Sequence, residues 1–166
     1  HGSIRRQRQM CIRDRFIRIT AEGLCYMPYS VVLLGVAGLI PFLAMPIAYS
    51  FNLLSLTQSA VYFMQYSAVL LSFFGGIHWW DSISNARYGK QMYIAMLPSI
   101  VGWLCLVFSH DPKTLGVLSL SYVAILVYDK FTLSLPKGQI VSYISLRIAL
   151  TSVVVISHAW MIYLIT

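Results

Sequence analysis

From Gly23 to Trp80 no Asp, Glu, Lys or Arg interrupts the chain. A membrane span needs about 20 apolar residues, so this run is long enough for two. The division falls where polar and turn-forming residues gather: Tyr49, Ser50, Asn52, Ser55, Thr57, Gln58 and Ser59. The pattern therefore predicts helices over 28–48 and 60–80. A polar loop follows, from Asp81 through Arg87 to Lys90, and the uncharged run from Gln91 to His110 predicts a third helix over 91–110. Pro112 stops any continuation. The fourth helix, 114–128, has an uncharged length of only 15 residues and crosses if Lys113 and Asp129 reach toward the two interfaces. Asp129 and Lys130 are expected to open the last loop, and the fifth helix, 148–166, to begin just after Arg147. The fold class is all-α: a polytopic integral membrane bundle of about five transmembrane helices in one domain.

Composition agrees. Hydrophobic residues make up 58% of the chain and charged residues 10%, against about 25% charged in soluble domains. The formal charge of +7 suggests a nucleic-acid or anionic-lipid partner, but its source is the first fifteen residues. Arg5 to Arg15 reads RRQRQMCIRDR, the translation of a transposase adapter used in preparing sequencing libraries. Residues 1–15 are expected to be such an artefact and are set aside. They hold five of the twelve basic residues and one acid, so the remainder carries +3. Residues 16–166 form the transmembrane domain, with a true start expected near Phe16 or Met27. No nucleic-acid partner is expected. Cys25 and Cys105 specify neither a disulfide framework nor a metal site, and Cys105 reads as small apolar filler.

Orientation follows from the positive residues, because cytoplasmic loops retain Lys and Arg. With five spans, one side holds Arg18, Arg87, Lys90, Lys130, Lys137 and Arg147, and the other only Lys113. The N-terminus is expected on the cytoplasmic side, or the matrix side in a mitochondrion. Tyr26, Tyr29, Trp79, Trp80, Tyr93 and Tyr128 fall near the expected interfaces, where aromatic residues concentrate.

Ionisable residues in or beside spans are the first candidates for chemistry. His78 lies near the end of the second span beside Asp81. It reads either as an interfacial histidine bonded to a carboxylate or headgroup, or as a ligand or proton relay. His158 lies some 11 residues into the fifth span, roughly 16 Å deeper, too far for both histidines to bind one haem. No Cys or carboxylate joins a histidine at metal spacing, so neither metal nor cofactor is expected. Arg147, at the expected mouth of the fifth helix, needs a buried partner, with Asp81 and Asp129 both available. His78, Asp81 and Arg147 form the candidate polar cluster. Small residues, together with Trp79, form the candidate packing and motif set: Gly35, Gly38 and Pro41 on the first span, Ser72, Gly75, Gly76 and Trp79 on the second, Pro98 and Gly102 on the third. The small ones let membrane helices approach closely, and the prolines free carbonyls that can line a polar path. Tyr66, Gln65, Ser67 and Ser72 are the polar side chains available to such a path, and no acid or lysine is expected deep enough to couple ions. Nothing has the form of a nucleophile–His–acid set or a phosphate-cradling loop.

The run Tyr66-Ser-Ala-Val-Leu-Leu-Ser-Phe-Phe-Gly-Gly-Ile-His-Trp79, together with Leu34-Gly-Val-Ala-Gly-Leu-Ile-Pro-Phe42, Pro98-Ser-Ile-Val-Gly-Trp103, Tyr128-Asp-Lys130 and Leu146-Arg-Ile-Ala-Leu-Thr151, resembles the transmembrane protein 69 family, also called the domain of unknown function 3429 family. The resemblance extends from about Tyr29 to Thr166. It departs at Trp80, where the family usually has a small residue. It implies a bacterial inner membrane, or alternatively a mitochondrial inner membrane, and no assigned activity. The expected function is that of a non-enzymatic accessory or assembly-type component, in contact with the lipid bilayer and with a larger membrane complex or further copies of itself. A small oligomeric transporter or channel is the alternative, and a membrane enzyme using His78 and Asp81 as an acid–base pair a third reading.

Overall fold

The computed structural model describes residues 28–109, 111–132 and 137–166, with side chains in the last stretch from Ile140 onward. The expectations for residues 1–15 and for the start of the chain lie outside the described residues, as do those for Arg18, Cys25, Tyr26, His110 and the Lys137 side chain. Every element described is a helix: α1 (Tyr29–Ala37), α2 (Ile40–Ser50), α3 (Leu56–Ser84), α4 (Lys90–Val107), α5 (Lys113–Thr132) and α6 (Lys137–Ile165). They make five membrane spans, with α1 and α2 together forming the first. The protein is an all-α integral membrane bundle.

The helix ends differ from the sequence expectation for identifiable reasons. Ser55 and Gln58, read as loop, are a capping box: the Ser55 hydroxyl accepts from the Gln58 amide and the Gln58 side chain accepts from the Ser55 amide. Their exchange satisfies the first free amides of α3, which begins at Leu56 rather than at residue 60. At its other end α3 runs on to Ser84, so Asp81 is helical and not in a loop. The fourth span is the larger correction. α5 reaches Thr132 and takes in Asp129 and Lys130, because Asp129 is neutralised inside the bundle while Lys130 is exposed. Likewise α6 begins at Lys137, about ten residues early, and Arg147 lies well inside it rather than at its mouth.

Pro41 divides the first span. It has no amide proton to give the Ala37 carbonyl, and the chain tightens there into a Leu39-to-Val36 bond of 2.9 Å. The Gly38 carbonyl instead accepts the Tyr66 hydroxyl of α3 at 2.9 Å. α3 packs most extensively on α4, and α5 on α6, whereas α1 meets little but α6. The core is built from Phe42, Phe63, Met64, Leu71, Leu115, Leu118, Tyr122 and Met161, with Cys105 among them as a buried free thiol. Arg87 donates to the Thr132 carbonyl at 3.2 Å. This bond fixes the α3–α4 loop and the end of α5 at one end of the bundle, with Lys113 at the other.

Candidate functional site

Three helices meet at a buried charged cluster. Asp129 of α5 is 2% exposed, Arg147 of α6 4% and His78 of α3 fully buried. One Asp129 oxygen lies 2.6 Å from His78 Nε2. The other accepts from Arg147 Nε at 2.8 Å, and Arg147 Nη2 stands 2.7 Å from the same oxygen without aligning as a hydrogen bond. An ionised carboxylate only accepts, so the His78 proton sits on Nε2. That leaves Nδ1 buried and without a partner among the described residues. The Arg147 guanidinium carbon stacks over the Phe74 ring of α3, 3.6 Å from its centroid, a cation–π contact that strengthens where water is excluded. Tyr128 covers the imidazole, with ring centroids 4.8 Å apart.

Of the sequence candidates, the structure thus brings His78 and Arg147 together but not Asp81. Asp81 faces the helix end, where it accepts from Asn85 at 3.0 Å and Gln91 at 2.9 Å. The carboxylate between His78 and Arg147 is Asp129. It is one of the two acids expected to be available to Arg147, but its placement in an expected loop, one residue beyond the uncharged run, kept it out of the cluster with His78. The signal that could have found it is helical spacing: Tyr122, Ile125 and Asp129 lie three and four residues apart and share the buried face of α5. The expectation that Asp129 opens the last loop is corrected by the same residue, which lies within α5.

A second polar constellation lies deeper. His158 Nδ1 is 2.8 Å from the Val154 carbonyl, which can only accept. Its Nε2 therefore takes the proton of the Ser67 hydroxyl at 2.9 Å. Tyr122 donates to the Ser67 carbonyl at 2.8 Å, and Phe42 and Phe63 flank the imidazole. The ring is satisfied without a counter-ion. Among the described residues no three His, Cys, Asp or Glu converge as metal ligands would.

The small residues divide sharply. A Cβ on Gly75 would stand 2.5 Å from the Ala95 carbonyl and one on Gly102 3.0 Å from the Ala68 carbonyl, so these two glycines carry the α3–α4 contact, with Pro98 packed beside Gly75. Gly35 would meet the Leu150 side chain at 2.9 Å, and Gly38 mainly its own helix. Gly76 meets nothing within 4 Å. The Ser72–Gly76 pair therefore does not pack inside the bundle; Gly76 is exposed, and the Ser72 hydroxyl bonds back to the Ala68 carbonyl. Trp79, next to His78, is 41% exposed. Nor do the polar residues expected along a path converge. Ser67 and Tyr66 are bonded as described, while Gln65 faces outward, and none of them or Ser72 lines either of the two cavities described.

Comparison with known proteins adds a family without an activity. A family model described as "protein of unknown function (DUF3429)" matches residues 27–163. Transmembrane protein 69 of Xenopus tropicalis is 29% identical over 118 residues, covering 68% of this chain and 47% of the relative. The chain thus spans about half the length of that protein. No solved structure matches it.

Proposed function

This chain belongs to the DUF3429 family, and we propose that it acts as a non-enzymatic accessory protein of a larger membrane complex, bound through the outer face of α3. The setting proposed is an energy-transducing inner membrane, bacterial or, alternatively, mitochondrial. One observation carries this reading. Gln65, Val69, Ser72 and Gly76 follow one another at helical spacing along α3, and Gln65, Val69 and Gly76 are exposed. Gln65 makes no hydrogen bond among the described residues. An amide facing hydrocarbon without a partner costs several kcal/mol, and the open surface at Gly76 admits the backbone of a neighbouring helix. By contrast, past Lys90 the exposed face of α4 is hydrophobic: Tyr93, Met96, Leu97, Ile100, Trp103, Leu104 and Val107 suit lipid.

The partner is a transmembrane helix that offers Gln65 a polar side chain. Purification from native membranes in mild detergent tests this. The wild-type chain should bring down a larger assembly, and Gln65→Leu should release it while the bundle stays folded. Recovery of homo-oligomers alone, able to pass solute in liposomes, would favour the transporter reading instead.

A further inference from the structure

A cleft of about 390 Å³ lies between α1, α3 and α6, within the size range of small-molecule pockets. Leu34 of α1, Leu70 of α3 and Leu150 of α6 give it an apolar lining. Leu34 is 72% exposed, so the rim opens toward the membrane's hydrocarbon. Two residues one helical turn apart on α6 change its character. Tyr143 and Arg147 both line the cleft; the Tyr143 hydroxyl is buried without a hydrogen-bond partner among the described residues, and Arg147 Nη2, though in ion-pair contact with Asp129 at 2.7 Å, has no aligned hydrogen bond. Buried donors of this kind are ordinarily paired, and leaving one unpaired is unfavourable. The guanidinium can only donate and the hydroxyl can donate as well as accept, so a single acceptor is the group that serves both. Asp129 already balances the Arg147 charge, and an anionic head would bring a second negative charge into a buried site.

We propose that this cleft binds a neutral amphiphile, with a head carbonyl oxygen accepting from Tyr143 and Arg147 and an apolar chain lying along Leu34, Leu70 and Leu150. Two sources supply that chemistry: an isoprenoid-type quinone and an uncharged acyl ester. The occupant enters sideways from the bilayer, between α1 and α3. Helix α1 is the outer wall, with none of its residues buried.

The test is equilibrium binding to the full chain in lipid nanodiscs, with decyl-benzoquinone, a monoacylglycerol and a fatty acid as separate probes. Saturable binding of either neutral probe is expected, and the one that binds identifies the source. Tyr143→Phe should weaken it about three- to tenfold, as the loss of one neutral hydrogen bond implies. Leu34→Trp, at an exposed position that the fold does not depend on, should block it. Absence of saturable binding by both neutral probes, affinities unchanged in both variants, or tighter binding of the anionic fatty acid would each overturn the proposal.

Discussion

Asp129 and Arg147 form an ion pair 2.7 Å apart, on adjacent helices and almost wholly out of solvent, and His78 closes it from a third helix at 2.6 Å. The pair joins α5 to α6, with both side chains buried in the bundle. Breaking a buried pair leaves an uncompensated charge, which costs about 3–5 kcal/mol. Arg147→Ala should therefore destabilise the protein by about that amount in denaturant titrations in mixed micelles. The double variant Asp129→Leu with Arg147→Met should recover most of the loss, because apolar replacement of both partners is often neutral. A single-variant effect below about 1 kcal/mol, as for a surface pair, would contradict the geometry.

His78 contributes one short bond to a charged acceptor, a class of bond that contributes about 1.5–3 kcal/mol. His78→Ala should lower stability by about that much in the same titration. His78→Gln, whose amide can donate to Asp129, should restore part of it. Equal losses in the two variants would mean that packing against Tyr128, and not the hydrogen bond, is what matters.

The glycines offer a contrast within two adjacent positions. Gly75→Ala drives a Cβ toward the Ala95 carbonyl at 2.5 Å and should cost about 1–3 kcal/mol as overpacking. Gly76→Ala meets nothing and should leave the isolated chain within about 0.5 kcal/mol of wild type. Thermal unfolding of the two variants side by side measures the difference.

Much of this bundle is legible in the sequence, and the misplaced helix ends share one cause. The five spans follow from hydropathy because a backbone in hydrocarbon must satisfy its own hydrogen bonds. Several of their ends do not follow, because a charge in the sequence has the same signature as an interface. Asp129 and Arg147 each looked like the edge of a span, although each is admitted by the other into the interior. The capping pair Ser55 and Gln58 reads as loop for the same reason, because polarity alone does not reveal its partner. Sequence spacing also could not say which face of α3 looks inward. Gly75 and Gly76 are neighbours in the chain, but only one meets α4.

Ser67 is the sole described partner of His158 Nε2. Ser67→Ala should leave that buried nitrogen unpaired and cost about 1–3 kcal/mol, in the same denaturant titration, with the far-ultraviolet helix signal retained below the transition. A loss below about 0.5 kcal/mol would show that another donor takes its place.

Orientation can be read by labelling single cysteines in intact and permeabilised vesicles. Leu53 and Tyr88 are 75% and 68% exposed, in loops at opposite ends of the bundle. Retention of positive charge on the cytoplasmic side predicts that Leu53→Cys reacts from outside and Tyr88→Cys only after permeabilisation, in a chain with no other cysteine. The reverse pattern would invert the topology.

The outer face of α3 is tested most directly by a photo-reactive amino acid placed at Gln65 and, as a control, at Ile100 on the apolar face of α4, followed by irradiation of native membranes. The account predicts a discrete cross-link from position 65 to a different membrane protein, and none from position 100. Cross-links from position 65 to lipid alone, indistinguishable from those at position 100, would contradict it.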